Sequence, residues 1–405
     1  MANRWNVGIR IGLGGLCLGG CSWMPVSQHA RLDEPAQTRQ EPPASDQQGP
    51  PAAPEKQVLS EFEDVHPVLG VLEEDLRVSS APSLMSQMTP LRSVNVTQVT
   101  FAHDGGVFDP VVTPDGKRVV YASTQHSMTS DIYVKSMASR VQTQLTRDPS
   151  NDAMPAISPD GTRIAFCSDR GGSWDIYVMG IAGGRPLVIS PSPAHEIHPS
   201  WSPDGTKIAF NRRGSVSGRW EMWIVDADDA TTAQFIGYGL FPDFCPRAGT
   251  GTAGADQILF QQGRERGSRA FSVWTLDYDG ANATALTEIV SAADAALINP
   301  TWSPDGGRIL FASVPRDGNW SLLAKIPPRE SSLWMIDIDG TDMVRLTSGD
   351  AVDLMPAWAS PERVLFASNR DGGENLWSLD LHDALAIAQI GDNDSELAGV
   401  EDKDD

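Results

Sequence analysis

Basic residues are scarce in this 405-residue chain. Its 31 Lys and Arg are outnumbered by 53 Asp and Glu, which gives a formal net charge of −22 at pH 7. Such a charge repels the phosphate backbone of nucleic acids, so we exclude nucleic acid from the expected partners. The length is sufficient for a sizeable core in one or two domains.

Cysteine and histidine are scarce as well, with four and seven residues. Two of the cysteines lie in the first 21 residues, and the other two, Cys167 and Cys245, do not follow a metal-ligand spacing. These two are expected to be either buried thiols or a disulfide. The pair His195 and His198 in "HEIH" has no obvious third ligand. The sequence therefore predicts no transition-metal site.

The motifs of hydrolases and phosphate-binding proteins are missing. A nucleophile elbow needs Gly-x-Ser-x-Gly, but the nearest match, "GSVSG" from residue 214, has Val216 at the nucleophile position. The glycine-rich stretch 249–254 opens no predicted helix, as a phosphate loop would. We predict no catalytic residues and no enzymatic activity.

A long hydrophobic run is also missing. The leader "MANRWNVGIRIGLGGLCLGGCSWM" is too short and too interrupted by glycine to span a bilayer. It ends in the tetrapeptide 18–21, "LGGC", which resembles the lipobox of bacterial lipoproteins. That resemblance implies a signal peptide over residues 1–21, a lipidated Cys21 at the mature N terminus, and, because Ser22 follows, the outer membrane. An ordinary secretory signal with an incidental cysteine is the alternative.

The remaining chain divides by composition into three further segments. Residues 22–92 are rich in Pro, Gln, Ala and Glu, and predict a disordered tether with room for one short helix. Residues 93–386 contain repeats and predict a folded domain. Residues 387–405 form an acidic tail that is expected to be disordered.

The repeats share a turn and two strands. The turn is Pro-Asp-Gly in four units, a combination that favours a tight hairpin connection. One strand ends in an aromatic residue, and a second strand carries another aromatic. The first column is Tyr121, Phe166, Phe210, Phe260, Phe311 and Phe366; the second is Tyr133, Tyr177, Trp223, Trp274, Trp334 and Trp377.

Both columns count six units of roughly 45 residues, which is typical of propeller blades. We therefore predict an all-β fold, a six-bladed β-propeller of four-stranded antiparallel blades. The segment "TQVT" (97–100) precedes the first repeat and matches "TQLT" (143–146), the predicted outer strand of the first blade. Since the last repeat lacks such a strand, residues 97–100 are predicted to pair antiparallel with the strand around Trp377 and to close the ring.

The repeat unit "SPDGTRIAFCSDRGGSWDIYVM" (158–179) resembles the PD40, or WD40-like, repeat of the TolB propeller family. The resemblance extends over about residues 97–381. It implies a non-enzymatic scaffold that faces the periplasm and binds a protein or peptide partner of the cell envelope. The chain departs from TolB where a tether replaces the α/β domain that precedes the TolB propeller, so partnerships that depend on that domain are not carried over.

Polar residues recur near a proline at the start of each predicted innermost strand, at Pro110, Pro155, Pro199, Pro246, Pro300 and Pro356. Three residues before four of these prolines stand Asp152, Glu196, Asp243 and Asp353, and one residue before three of them stand Asp109, His198 and Asn299. These positions are expected to surround one mouth of the central channel. There they would bind a cation such as Ca²⁺, or the basic or amine-bearing end of a peptide. A solvated acidic funnel without a ligand is the alternative.

The sequence thus favours a monomeric, lipid-anchored scaffold on the periplasmic face of the outer membrane. No cofactor is expected, apart from the Ca²⁺ considered at the channel mouth. Two other functions stay open. One is a propeller-type polysaccharide lyase, which would need metal-binding histidines from several blades at the channel, and the other is a sensor of a small ligand in the channel.

Overall fold

The structure is a computed structural model, and it describes Leu84 and residues 95–263, 271–316, 328–348 and 350–385, without the side chains of 230 and 231. The predicted signal peptide, Cys21, most of the predicted tether and the acidic tail lie outside the described residues. No helix within the described ranges is long and apolar enough to cross a membrane.

The described chain forms six four-stranded antiparallel sheets, as the repeats predicted. In each of the first three blades, the four strands follow one another along the chain from the innermost to the outermost. Blade 1 consists of β2 (Val107–Val112), β3 (Arg118–Ser123), β4 (Asp131–Ser136) and β5 (Gln142–Gln144). Blade 2 consists of β6 (Asp152–Ile157), β7 (Arg163–Ser168), β8 (Asp175–Gly180) and β9 (Leu187–Ser190), and blade 3 of β10 (Glu196–Trp201), β11 (Lys207–Arg213), β12 (Trp220–Asp226) and β13 (Asp229–Tyr238).

Blades 4 and 5 follow the same order, and blade 6 takes its outer strand from the start of the domain. Blade 4 consists of β14 (Leu240–Phe244), β15 (Asp256–Gly263), β16 (Phe271–Tyr278) and β17 (Ala283–Val290), and blade 5 of β18 (Ala295–Trp302), β19 (Arg308–Pro315), β20 (Ser332–Asp337) and β21 (Val344–Arg345). Blade 6 consists of β22 (Asp353–Ser360), β23 (Arg363–Ser368), β24 (Asn375–Asp380) and β1 (Val96–Gln98). Each first strand contacts the first strands of both neighbouring blades, so these six strands surround the propeller axis.

The two aromatic columns form the middle of every blade. Each aromatic of the second strand is at most 1% exposed and lies directly opposite the aromatic of the third strand. Close aromatic pairs on adjacent strands stabilise a sheet beyond the apolar area that they bury. The regular spacing of the two columns therefore reflects one packing arrangement used six times.

The strand β1 pairs antiparallel with β24, with Gln98 opposite Trp377. The hydroxyl of Thr100 then donates to the Oδ1 of Asn375 at 3.0 Å and accepts from the backbone N–H of Leu376 at 2.8 Å. In blade 1, the hydroxyl of Thr146 accepts in the same way from the backbone N–H of Ile132, the second residue of β4. The similarity of "TQVT" to "TQLT" thus corresponds to equivalent positions in two blades.

Leu84 lies within the predicted tether and is buried against blade 5. Its side chain is 3% exposed and joins a cluster that includes Ala295 and Trp334, and its backbone N–H donates to Asp294 Oδ1 at 2.9 Å. At this residue, the chain that precedes the propeller is packed on the domain.

Both described cysteines are free and buried, which selects the thiol alternative over the disulfide. Burial raises the pKa of Cys167 and of Cys245 above the ordinary value for a thiol. Neither is therefore a reactive thiolate at neutral pH.

Candidate functional site

Every innermost strand contains a β-bulge, at which two residues face one residue of the second strand. The second residue of the bulge is proline in all six blades. The first has a positive φ between 51° and 56°, although it is never glycine. These first residues are Asp109, Met154, His198, Phe241, Asn299 and Met355.

The bulge has a physical cause in the sequence. Proline has no N–H to donate to the ladder and is tolerated inside a sheet at bulges. The single residue opposite the bulge is the second-strand aromatic, for example Phe166 opposite Met154 and Pro155. A left-handed residue other than glycine costs about 1–3 kcal/mol, so six of them around one axis are a considerable strain that the blades have to offset.

We call the six left-handed residues the axial ring, because the strands that carry them surround the axis. Three contacts link members from adjacent blades. The Oδ2 of Asp109 accepts from the backbone N–H of Met154 at 3.0 Å, and the backbone N–H of Asp109 lies 3.4 Å from the sulfur of Met355. The ring of His198 stacks on Phe241 with centroids 3.7 Å apart. These contacts join Met355, Asp109 and Met154 across three blades, and His198 and Phe241 across two.

Burial controls the protonation of the two titratable members. It raises the pKa of Asp109 from 3.8 to about 7, and it lowers the pKa of His198 from 6.5 to about 3. His198 is therefore neutral at pH 7, whereas Asp109 changes its charge close to that pH. A cation that approached Asp109 would favour its ionised form.

Some hydrogen-bonding capacity of the axial ring is unused. Both ring nitrogens of His198 and the Oδ1 of Asn299 are buried and have no hydrogen-bond partner among the described residues. Their side chains are 8% and 6% exposed. A buried polar atom without a partner costs about 1–3 kcal/mol, so these atoms are in place for a partner that the chain itself does not supply.

The predicted acids at the starts of the first strands occupy a different environment. Asp152, Glu196 and Asp353 are at most 1% exposed. Each carboxylate forms an ion pair with an arginine of its own blade, and these pairs are Asp152 with Arg170 at 2.8 Å, Glu196 with Arg212 at 2.8 Å and Asp353 with Arg370 at 2.7 Å. Each carboxylate therefore has a cation inside its own blade, although burial still raises the pKa of Glu196 to about 7.

The arginines of these ion pairs also pack on the aromatic columns. Arg170 lies over Phe166 and Tyr177, with distances of 5.7 and 4.9 Å to the ring centroids. Arg370 lies over Phe366 and Trp377 in the same way. Such cation–π contacts together with a buried ion pair hold the loop after the second strand against the sheet.

In blade 4 the sequence alignment was wrong by four residues. The proline of the bulge is Pro242 and not Pro246, so Asp243 follows the axial ring position instead of preceding it. The carboxylate of Asp243 accepts from Ser200 and from Thr301, both at 3.0 Å. It thereby links blades 3, 4 and 5.

Of the seven predicted site residues, the axial ring brings together Asp109, His198 and Asn299. Sequence reasoning missed Met154, Phe241 and Met355, although each stands directly before a proline as the other three do. His195 does not join them, because its Nδ1 accepts from the backbone N–H of Trp174 at 3.2 Å. Within the described ranges, no three His, Cys, Asp or Glu side chains group as metal ligands.

Comparisons with known proteins agree with the architecture. Residues 86–237 match the family model described as PD40, the TolB beta propeller domain. A protein assigned as TolB from Agrobacterium tumefaciens is 21% identical, with 71% of this chain and 97% of that chain covered and a TM-score of 0.51.

Two further solved structures are similar at lower TM-scores. TolB from Acinetobacter baumannii is 20% identical, with 63% of this chain and 58% of that chain covered and a TM-score of 0.49. An oligogalacturonate lyase from Vibrio parahaemolyticus is 15% identical, with coverages of 71% and 93% and a TM-score of 0.48. The family match covers blades 1 to 3, and the six observed blades continue the same architecture, so the chain folds as a six-bladed β-propeller similar to that of TolB.

Proposed function

We propose that this protein is a non-enzymatic scaffold of the cell envelope, which binds a protein or peptide partner at the axial channel of its propeller. The observation that carries the proposal is the axial ring, in which buried polar atoms of His198 and Asn299 have no partner among the residues that the structure describes. Strained and unsatisfied groups cluster at binding sites more often than elsewhere in a fold. The similarity to the TolB propeller supports a partner that is a protein.

The axial ring favours binding over chemistry. His198 is a neutral imidazole stacked on Phe241, and no nucleophile lies in the ring beside it. A general base must reach a reacting group and hold a pKa near the working pH, and within the axial ring Asp109 alone meets the second condition. A lone carboxyl group among apolar side chains is suited to recognition of a ligand.

The proposal is tested by capture of the partner. Full-length protein in envelope membranes would be crosslinked, purified and compared with the variant Phe241→Ala, which removes an aromatic surface from the axial ring. The control is Val216→Ala, at a loop tip that is 99% exposed. We expect Phe241→Ala to lose a captured protein that the wild type and the control retain. Equal capture by all three, or loss in the control alone, would contradict binding at the channel.

We also propose that Cys21 carries the lipid anchor and that the propeller faces the periplasm from the outer membrane. The support is the "LGGC" tetrapeptide at the end of a short apolar leader. Two or more acyl chains hold a protein on a bilayer much more firmly than one. Cys21→Ser should abolish incorporation of labelled palmitate and release the protein from the membrane fraction. Unchanged labelling would show that the anchor is elsewhere.

A further inference from the structure

The polar atoms of the axial ring have a common chemical character. The carboxylate of Asp109 and the amide oxygen of Asn299 are hydrogen-bond acceptors, and neutral His198 has one acceptor nitrogen. The Oδ1 of Asn299 and both nitrogens of His198 are buried and have no hydrogen-bond partner in the part of the chain that the structure describes. A ligand that satisfies the three acceptors must therefore bring several donors, and the remaining N–H of His198 needs one acceptor.

The charge of the axial ring points in the same direction. Asp109 is its acidic member, and none of the ion pairs formed by the described residues involves this carboxylate. The nearby acids Asp152, Glu196 and Asp353 differ, since each already has an arginine. A ligand with a positive charge would supply the counterion that Asp109 lacks.

The remaining members determine which cation fits. Met154, Phe241 and Met355 provide two thioethers and an aromatic ring, which are suited to CH₂ groups and to the face of an organic cation. Ca²⁺ takes six to eight oxygen ligands. The side chains of the axial ring offer one carboxylate and one amide oxygen, so the donor set does not fit this ion.

The exposure of the axial ring shows where a ligand would gain access. Asp109 and Phe241 are partly exposed, whereas His198, Asn299 and the two methionines are at most 8% exposed. Asp109 belongs to blade 1 and Phe241 to blade 4, which are opposite each other in a ring of six blades. A ligand on the axis would thus lie between a carboxylate and an aromatic ring.

We propose that the axial ring binds an ammonium or guanidinium group, presented along the axis by a basic side chain or the N terminus of the partner. Asp109 pairs with the charge, Asn299 and His198 accept hydrogen bonds from the N–H groups, and Phe241 with the two methionines packs on the alkyl part. This inference rests on the proposed function, because it names the chemical group through which a protein partner enters the channel.

The test uses small probes, so that it does not depend on the identity of the partner. Binding of n-butylammonium and n-butylguanidinium would be measured by saturation-transfer NMR, with the uncharged n-butanol for comparison. We expect the two cations to bind the wild type and to weaken at least tenfold with Asp109→Asn. Asn299→Asp, which adds a second carboxylate to the ring, should strengthen their binding.

The control is Asp339→Asn, which removes the same charge from an exposed hairpin of blade 5 and should leave the affinities unchanged. Equal binding of n-butanol and the cations, or equal affinity of the wild type and Asp109→Asn, would overturn the inference. If Phe241→Ala still loses a captured partner in that case, the channel binds a protein through other groups and the proposed function stands. If the cations bind without dependence on Asp109 and Phe241→Ala also keeps the captured partner, both proposals are rejected.

Discussion

Replacing Asp109 by asparagine should stabilise the folded protein at neutral pH. Burial in the axial ring raises the pKa of this carboxyl group from 3.8 to about 7. Between these values the folded state retains a proton that the unfolded chain has released, so the free energy of unfolding falls as the pH rises through this window. The effect is small at pH 4 and vanishes at lower pH, where both states are protonated.

The magnitude follows from the two pKa values. Each pH unit between them corresponds to about 1.4 kcal/mol, which sets an upper limit of about 4 kcal/mol above pH 7. Asp109 is partly exposed, so solvent screening reduces the expected gain to about 1–3 kcal/mol. Asparagine has nearly the same shape, and its amide oxygen can accept from the N–H of Met154 as the carboxylate does.

The assay is urea unfolding of the wild type and Asp109→Asn at pH 4 and pH 8. A useful contrast is Asp160→Asn in the Pro-Asp-Gly turn of blade 2, where a hydrogen bond from Ser158 and others lower the carboxyl pKa to about 2. That substitution should reduce stability at pH 8, with the opposite sign. If Asp109→Asn were no more stable than the wild type at pH 8, or gained equally at both pH values, the assigned protonation of the axial ring would be refuted.

Three further predictions concern the blades. Asn375→Ala removes the buried side chain that bonds β24 to the segment after β1, and should cost about 2 kcal/mol in urea unfolding; a loss below a few tenths of a kcal/mol would contradict this role. Arg370→Met leaves the carboxylate of Asp353 buried without its cation and should cost about 3 kcal/mol or more, whereas adding Asp353→Leu should recover most of the loss; equal instability of both variants would refute the explanation. Cys167 and Cys245 should not react with a thiol reagent at pH 8 until the protein is unfolded, and fast labelling of the native protein would contradict their burial.

Much of the fold was predictable because each blade repeats strong local signals. Turn residues such as Asp115 and Gly116 recur in four units, and one aromatic on the second strand and one on the third recur in all six. Blade 4 lacks the Pro-Asp-Gly turn and was identified from its two aromatics, Phe260 and Trp274. The position of β1 was predictable as well, since Thr100 and Thr146 occupy equivalent sites and only the sixth blade lacked an outer strand of its own.

The site was less predictable, for two physical reasons. A bulge shifts the strand register by one residue, and the sequence shows only the proline and not the left-handed residue before it. In blade 4, Pro242 competes with Pro246, and the sequence comparison assigned Pro246 to the innermost strand. Whether an acid such as Asp152 is paired with a cation depends on Arg170. This arginine is 18 residues away in sequence, and the loop after the second strand brings it into contact.

The pairing of β1 with β24 has a mechanical consequence for the ring. Val96 lies opposite Leu379, so the first residue of β1 and the end of β24 are at the same end of the pair. Tension between the two ends of the propeller would therefore peel the strands apart one hydrogen bond at a time, a geometry that resists force less than shearing them in parallel. A protein held at a membrane through its N terminus would carry any load at this seam. Force on the chain that precedes β1, more than heat, is thus the perturbation expected to open blade 6 before the other blades.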